Sequence, residues 1–145
     1  MPQNRLDILE KSLTTAINDS SLIGAKLKIS REYHRQESHI EDIITATQAV
    51  ESALLFNDVY LYAKALNNLG LLYRYHQQYA DAIPLHRKAF DITEHLDIPP
   101  LDKMIFANNT GVASRHNADY NTAVYYYLKA LNIAERENDL KNIEI

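Results

Sequence analysis

The sequence contains no cysteine, and it has only three glycines and four prolines among its 145 residues. The absence of cysteine excludes disulfides, thiolate nucleophiles and zinc sites built on sulfur. Glycine and proline average roughly 7% and 5% of residues in proteins, so this chain has too few turn residues for a sandwich or barrel of many short strands. These two shortages together favour an all-α fold.

The sequence also lacks a long apolar run and an excess of positive charge. Its apolar stretches are far shorter than the roughly 18 residues that cross a bilayer, and the N-terminus shows no apolar signal core. The formal net charge of −4 argues against a nucleic-acid partner. With 46% hydrophobic residues, the chain has the composition of a folded soluble protein, which we expect in the cytoplasm.

The most informative positive feature is an internal repeat. The segment Asn67-Asn68-Leu69-Gly70 recurs 41 residues later as Asn108-Asn109-Thr110-Gly111, and a weaker copy lies about 40 residues upstream. Asp42 stands where the later copies have Ala82 and Ala123, so the first copy is expected to pack differently. The interval of 41 also relates Tyr79 to Tyr120, Ala82 to Ala123, Ala89 to Ala130, Ile92 to Ile133 and Glu94 to Glu135.

Each copy is predicted to form a hairpin of two antiparallel helices. Leu66, Leu69 and Tyr73 recur at helical spacing in the first half, and Ala82 and Ala89 do so in the second half. Small residues on these stripes allow the two helices to approach closely. The predicted helices span residues 5–17, 20–35, 38–56, 58–75, 78–96, 101–116 and 119–137.

These helices form one predicted domain, residues 1–145, which contains a half repeat and three full repeats at about 20–56, 58–96 and 101–137. The segment Asn138-Asp139-Leu140 is similar to Asn57-Asp58-Val59 ahead of a first helix, so a further helix is predicted to start within 139–145. A solenoid normally finishes with a helix whose outer face is polar. Because no such helix is visible here, we expect the natural protein to continue or a second copy to cover this end.

The repeated residues resemble the tetratricopeptide repeat (TPR) family, in which a Leu-Gly-containing first helix is followed by a second helix with spaced alanines. The resemblance rests on Leu69-Gly70, Tyr73, Tyr79, Ala82 and Ala89. The interval of 40–41 exceeds the usual 34 and is similar to that of kinesin light chains and bacterial regulatory proteins. The resemblance implies a right-handed superhelical solenoid whose first helices line a concave groove for a peptide or partner helix.

One face of each first helix is predicted to point into that groove. At about 100° per residue, Asn67, Leu71 and Arg74 share a face turned away from the core stripe. Guanidinium groups bind carboxylates bidentately and asparagine amides can pair with a peptide backbone, so we predict an acidic peptide or a free C-terminal carboxylate as ligand. The competing interpretation is that these arginines are solvated or pair with neighbouring carboxylates. The predicted groove residues are Asn67, Leu71, Arg74, Tyr75, Asn108, Val112, Arg115, His116, Arg31 and Arg35.

No catalytic, metal or cofactor site is predicted. The six histidines show no HExxH or similar pair, and no carboxylate cluster completes a ligand set in the sequence. The serines lack a nucleophile-elbow context, and all three glycines lie within helical pattern rather than in a phosphate-binding loop. His86, on a core stripe, is predicted to be a half-buried packing residue.

Two functions remain open from the sequence. The first is a scaffold that binds a protein or peptide. From the resemblance alone, it would serve as the input segment of a larger bacterial signalling protein such as a diguanylate cyclase or histidine kinase. The alternative is a homo-oligomerisation module that pairs through its uncapped C-terminal end and binds no peptide.

Overall fold

The computed structural model describes residues 5–15 and 19–141, which form seven α-helices and no strand. None of these helices is both long and apolar enough to cross a membrane. The all-α architecture of stacked helix pairs predicted from the sequence is confirmed. The helices are α1 (Arg5–Thr15), α2 (Asp19–Arg35), α3 (His39–Phe56), α4 (Val59–Tyr75), α5 (Tyr79–Thr93), α6 (Pro100–His116) and α7 (Tyr120–Lys141).

The last helix is longer than predicted. We expected a break at Asn138 by analogy with Asn57, which adopts a left-handed conformation (φ 63°) and ends α3. Instead α7 runs on to Lys141, because the preceding residues of 134–137 are good helix formers and no glycine or proline interrupts them. Residues 139–141 therefore belong to α7, where a further helix was predicted to start. Residues 142–145 lie outside the described part, as do residues 16–17 of the first predicted helix.

The three hairpin turns share one backbone conformation. Glu37, Gln77 and Ala118 each have a positive φ close to 60°, and they lie 40 and 41 residues apart. In the middle turn, the Gln78 amide donates to the Tyr73 carbonyl (2.9 Å) and the Gln77 amide donates to the Arg74 carbonyl (3.0 Å). This pair of bonds ends a helix by satisfying its last carbonyl groups. The sequence repeat is thus also a repeat of backbone geometry.

The helices form two layers, and only one of them is continuous. In the inner layer, α2 contacts α4 and α4 contacts α6, while the outer helices α3, α5 and α7 make no direct contact with one another in the described chain. A stack whose helices are closer on one side curves towards that side. The inner layer is therefore the concave face, and it consists of the first helices of the three repeats.

The core lies between the layers, where each hairpin packs on the next. Phe90 of α5 is almost fully buried and packs with Leu66, Phe106 and Tyr126. Its ring meets that of Tyr126 edge to face, with centroids 5.8 Å apart. Burying one phenylalanine contributes about 1.5–3 kcal/mol, so this cluster joins α4, α5, α6 and α7 into one unit. The concave surface is held in place by this packing.

Candidate functional site: the groove of the inner layer

A cavity of about 340 Å³ opens on the concave face between α2, α4 and α6. Helices α2 and α4 contribute residues from their middle turns and α6 from its first two turns, so the cavity exists only because three repeats stack in register. Its apolar floor includes Leu71, Phe106 and Ile105, and Ile105 is 39% exposed. We call this surface the inner groove; it is lined by Gly24, Leu27, Lys28, Arg31, Lys64, Asn67, Asn68, Leu71, Asp102, Ile105 and Phe106.

The inner groove carries three cationic side chains and one carboxylate. Lys28, Arg31 and Lys64 line it from α2 and α4, whereas Asp102 is the acidic lining residue on α6. The Asp102 carboxylate accepts a short hydrogen bond from the Tyr60 hydroxyl, and this bond is the main reason why the pKa of Tyr60 rises to about 12. Because the three cationic side chains outnumber this one carboxylate, the groove attracts anions although the whole chain is acidic.

Arg31 is oriented by residues of the neighbouring helix. Its Nε donates to Oδ1 of Asn68 (3.2 Å), and Nδ2 of Asn68 donates to the buried Ser30 hydroxyl (3.0 Å). The Ser30 hydroxyl in turn donates to the Leu27 carbonyl (2.8 Å). A guanidinium fixed in this way loses less conformational entropy when it binds a carboxylate than a freely rotating one does.

Asn67, a predicted ligand residue, lines the groove but is itself buried and used inside the protein. Its Oδ1 accepts from Nδ1 of His86 (2.8 Å) and from Nδ2 of Asn109 (2.9 Å). The asparagine that faces α4 from α6 is therefore Asn109, whereas the predicted Asn108 points to solvent. Adjacent helical residues differ by about 100°, so the α4–α6 contact selects one of the two.

Arg74, another predicted ligand residue, also bonds within the protein. It is half-buried, and its NH1 donates to Oδ1 of Asn109 (3.2 Å). Arg74 and Arg115 form no shared site in the inner groove, since neither lines the cavity. Arg115 is exposed.

The remaining predicted ligand residues lie outside the inner groove, towards the C-terminal ends of the first helices. Tyr75 stacks on His34 with centroids 5.0 Å apart, and His116 stacks on Tyr79 with centroids 4.8 Å apart. Arg35 pairs with Glu32 of its own helix (3.2 Å). Val112 is half-buried elsewhere on α6. Of the predicted ligand residues, the cavity therefore brings together only Arg31, Asn67 and Leu71.

The two lysines of the groove were not predicted from the sequence. Lys64 precedes Asn67 by three residues and Lys28 precedes Arg31 by three, so each lies one turn earlier on the same helical face. Extending the predicted face one turn towards the N-terminus would have found both. The cavity lies at the middle of α2 and α4 and at the N-terminal turns of α6, whereas most of the predicted residues lie nearer the C-terminal ends of these helices.

Below the groove, His86 is fully buried rather than half-buried as predicted. Burial, followed by the positive charge of Arg74, lowers its pKa to about 3, so the ring is neutral at physiological pH. The neutral ring donates from Nδ1 to Asn67, which places the second nitrogen, Nε2, in the interior without a hydrogen-bond partner in the described structure. His86 is a structural support of the groove and does not reach a ligand there.

Comparison with known proteins gives the same fold. A tetratricopeptide repeat family model matches residues 63–96, while no curated protein matches the chain in sequence. The structure of BtubC (BKLC) from P. vanneervenii has a TM-score of 0.80 at 17% identity over 97% of this chain and 57% of BtubC. The present chain thus spans little more than half the length of that protein.

Two further structures share the fold. The TPR domain of Arabidopsis FLU has a TM-score of 0.68 at 17% identity, covering 82% of this chain and 99% of that domain. A putative kinesin light chain of Podosopora anserina with nearly identical TPR-like repeats has a TM-score of 0.73 at 13% identity, covering 92% and 67%. Proteins with this fold are generally non-enzymatic scaffolds that bind protein partners. Residues 63–96 thus match a tetratricopeptide repeat, and the chain has the fold of tetratricopeptide-repeat solenoids.

Proposed function

We propose that the chain is a protein-binding scaffold whose inner groove holds an acidic segment of a partner. The observation that carries this proposal is the convergence of Lys28, Arg31 and Lys64 on a concave apolar surface of an otherwise acidic protein. Charge-assisted hydrogen bonds to carboxylates are roughly twice as strong as neutral ones. An acidic segment would therefore be favoured over a neutral one of the same shape.

The shape of the groove favours a short extended segment. Its volume of about 340 Å³ is at the lower end of the range for ligand sites, and it is open to solvent on the concave side. Leu71 and Ile105 offer apolar contacts between the cationic rim positions. We therefore expect the bound segment to place carboxylates towards α2 and α4 and an apolar side chain towards α6.

This function predicts a charge-dependent affinity for acidic peptides. Labelled peptides rich in Asp and Glu should bind, as measured by fluorescence anisotropy, whereas peptides with Asn and Gln at the same positions should not. Replacing Arg31 with Glu should weaken binding at least about tenfold, since one charged hydrogen bond contributes about 1.5–3 kcal/mol. Binding should also weaken as salt is added.

Arg87→Glu is the matched control because Arg87 is exposed on the outer helix α5, away from the groove. It makes the same change in net charge as Arg31→Glu. Equal loss of affinity in the two variants would show that overall charge, not the inner groove, attracts the peptide. Equal affinity for the acidic and the amide peptides would contradict the proposed ligand class.

The wider context is proposed from the resemblance alone. By analogy with long-repeat TPR proteins, the scaffold would be the input segment of a bacterial signalling protein such as a diguanylate cyclase or histidine kinase. In that role, occupation of the inner groove would be the signal passed to the output domain. The geometry of the groove supports the binding step of this proposal.

A second function, self-association, is favoured by the exposed face of α7. Val124 and Leu131 are 57% and 50% exposed, although the repeat places them at the positions of Ile83 and Phe90. Those two residues of α5 are buried, Ile83 against α6 and Phe90 against α6 and α7. The face of α7 is therefore built like a surface that another hairpin covers, either a following repeat or a second copy of the chain.

Sedimentation velocity over a concentration series tests self-association. We expect the wild-type chain to dimerise and the double variant Val124→Glu with Leu131→Glu to stay monomeric, because two buried carboxylates without partners oppose the interface. Leu55→Glu is the control, since Leu55 is 87% exposed on α3 and outside this face. A wild-type chain that is monomeric at every concentration would eliminate this function.

A further inference from the structure

Three histidines and one aspartate converge at the edge of the first repeat. His34 lies in the last turn of α2, His39 and Asp42 lie in the first turn of α3, and His76 follows the end of α4. Oδ2 of Asp42 is 3.0 Å from Nε2 of His76, 3.2 Å from Nδ1 of His34 and 3.7 Å from Nδ1 of His39. One ligand atom from each residue lies within 4.8 Å of all the others.

Asp42 is not a residue that the fold requires at this position. The later repeats have Ala82 and Ala123 there, and both alanines are buried in the core. Asp42 is itself fully buried, and its Oδ1 has no hydrogen-bond partner in the described structure. A buried carboxylate is costly unless positive charge or hydrogen bonds compensate it. In the described part of the chain, the ion-pair partners of Asp42 are histidines, with no lysine or arginine among them.

We propose that His34, His39, Asp42 and His76 form a binding site for a divalent transition-metal ion of the zinc class. Ligand bonds of about 2.0–2.2 Å in a tetrahedral site place neighbouring ligand atoms about 3.3–3.6 Å apart. The distances from Asp42 to His34 and His76 are already close to this spacing. His39, whose side chain is 51% exposed, completes the set by a small movement of its ring.

The donor set decides which ion binds. Three imidazoles and one carboxylate suit Zn²⁺, Co²⁺ or Ni²⁺, whereas Mg²⁺ and Ca²⁺ require mainly oxygen ligands. An ion bound here would also compensate the buried charge of Asp42. It would join α2, α3 and α4, and so connect the first repeat to the second. Among the described residues, this is the only group of histidine, aspartate or glutamate side chains placed to hold an ion.

No metal site is predicted from the sequence, because these residues form no compact motif. Only His39 and Asp42 share a helical face at a spacing of three, and His76 comes from the next repeat. The substitution of aspartate for the repeated alanine was the signal that the sequence offered. The competing structure is a metal-free cluster in which the imidazoles donate hydrogen bonds to Asp42.

Titration of the purified, metal-free chain with Zn²⁺ distinguishes a metal site from a metal-free cluster. We expect one equivalent of Zn²⁺ to bind and to raise the thermal midpoint, while Mg²⁺ and Ca²⁺ leave it unchanged, since an ion that binds only the native state stabilises that state. Co²⁺ should give the visible absorption bands of a tetrahedral site. Absence of Zn²⁺ binding by the wild-type chain would overturn the proposal.

Variants locate the bound ion. His39→Ala changes an exposed side chain and should preserve the fold. It should nevertheless weaken Zn²⁺ binding at least about tenfold, because even the loss of a group that only hydrogen-bonds a metal ligand reduces metal affinity by that much. His76→Ala should do the same, whereas His116→Ala, outside the cluster, should bind like the wild type. Equal Zn²⁺ affinity in His39→Ala and the wild type, with both folded, would place the ion elsewhere and contradict the assignment.

Discussion

Replacing Gly70 with alanine is expected to destabilise the chain by about 1–3 kcal/mol, although alanine is the better helix former. A Cβ atom at this position would lie 2.7 Å from Cε1 of His86 and 2.8 Å from its Nε2. The ring cannot move away easily, because it is fully buried and its Nδ1 donates to Asn67. The clash therefore outweighs the gain in helix propensity of about 1 kcal/mol. Urea denaturation followed by circular dichroism measures the difference.

Gly24→Ala is the matched control for this prediction. Gly24 is also inside a helix, but no atom lies within 4 Å of the position of its missing Cβ. The same substitution should therefore stabilise the chain by about 0.5–1 kcal/mol. Gly111→Ala should fall between the two, since the ring in its way belongs to Tyr127, which is only half-buried. Stabilisation by Gly70→Ala would show that the two helices are further apart than described.

The chain should lose stability as the pH falls from about 6.5 towards 3, and His86 should be one cause. Burial, aided by the charge of Arg74, lowers the pKa of His86 from 6.5 to about 3 in the native state. Between these two pH values the unfolded chain binds a proton that the native state does not, so the free energy of unfolding decreases as the pH decreases. The slope from this residue is up to about 1.4 kcal/mol per pH unit.

His86→Gln isolates this contribution, because glutamine has an amide donor for Asn67 and does not titrate. Urea denaturation of both proteins at several values between pH 7 and about 4.5 should give a shallower pH dependence for the variant. The aspartates, glutamates and other histidines are the same in both proteins, so the difference in slope belongs to His86. Parallel curves would mean that His86 already accepts a proton in the native state.

The fold could be predicted from the sequence because its determinants are periodic. The stripe of Leu66, Leu69 and Tyr73 and the spaced alanines specify helices, and a constant interval of 41 specifies that equal hairpins stack. The helix ends were predicted within a few residues except at Asn138. At Asn138 the similarity to Asn57 was misleading, because the helix-forming residues 134–137 carry α7 through it.

The candidate site could be predicted only in part, since it depends on how adjacent helices are rotated. The helical face of Asn67 and Leu71 lines the inner groove, but the register that brings Asn109 rather than Asn108 to α4 follows from the crossing of two helices. The hydrogen bond from Arg74 to Asn109 depends on the same helix crossing. The meeting of Asp42 with His76 needs the stacking of two repeats, so no motif search along the chain finds it.

The continuous inner layer also shapes how the molecule unfolds. Helices α2 and α6 make no direct contact in the described chain and are coupled only through α4. In such a linear array the terminal hairpins open more readily than the middle one. A peptide that lies along the inner groove would touch all three helices at once and supply the missing link between the two ends. Amide hydrogen exchange would then slow at both terminal hairpins together, because the bound peptide couples the opening of one hairpin to the opening of the other.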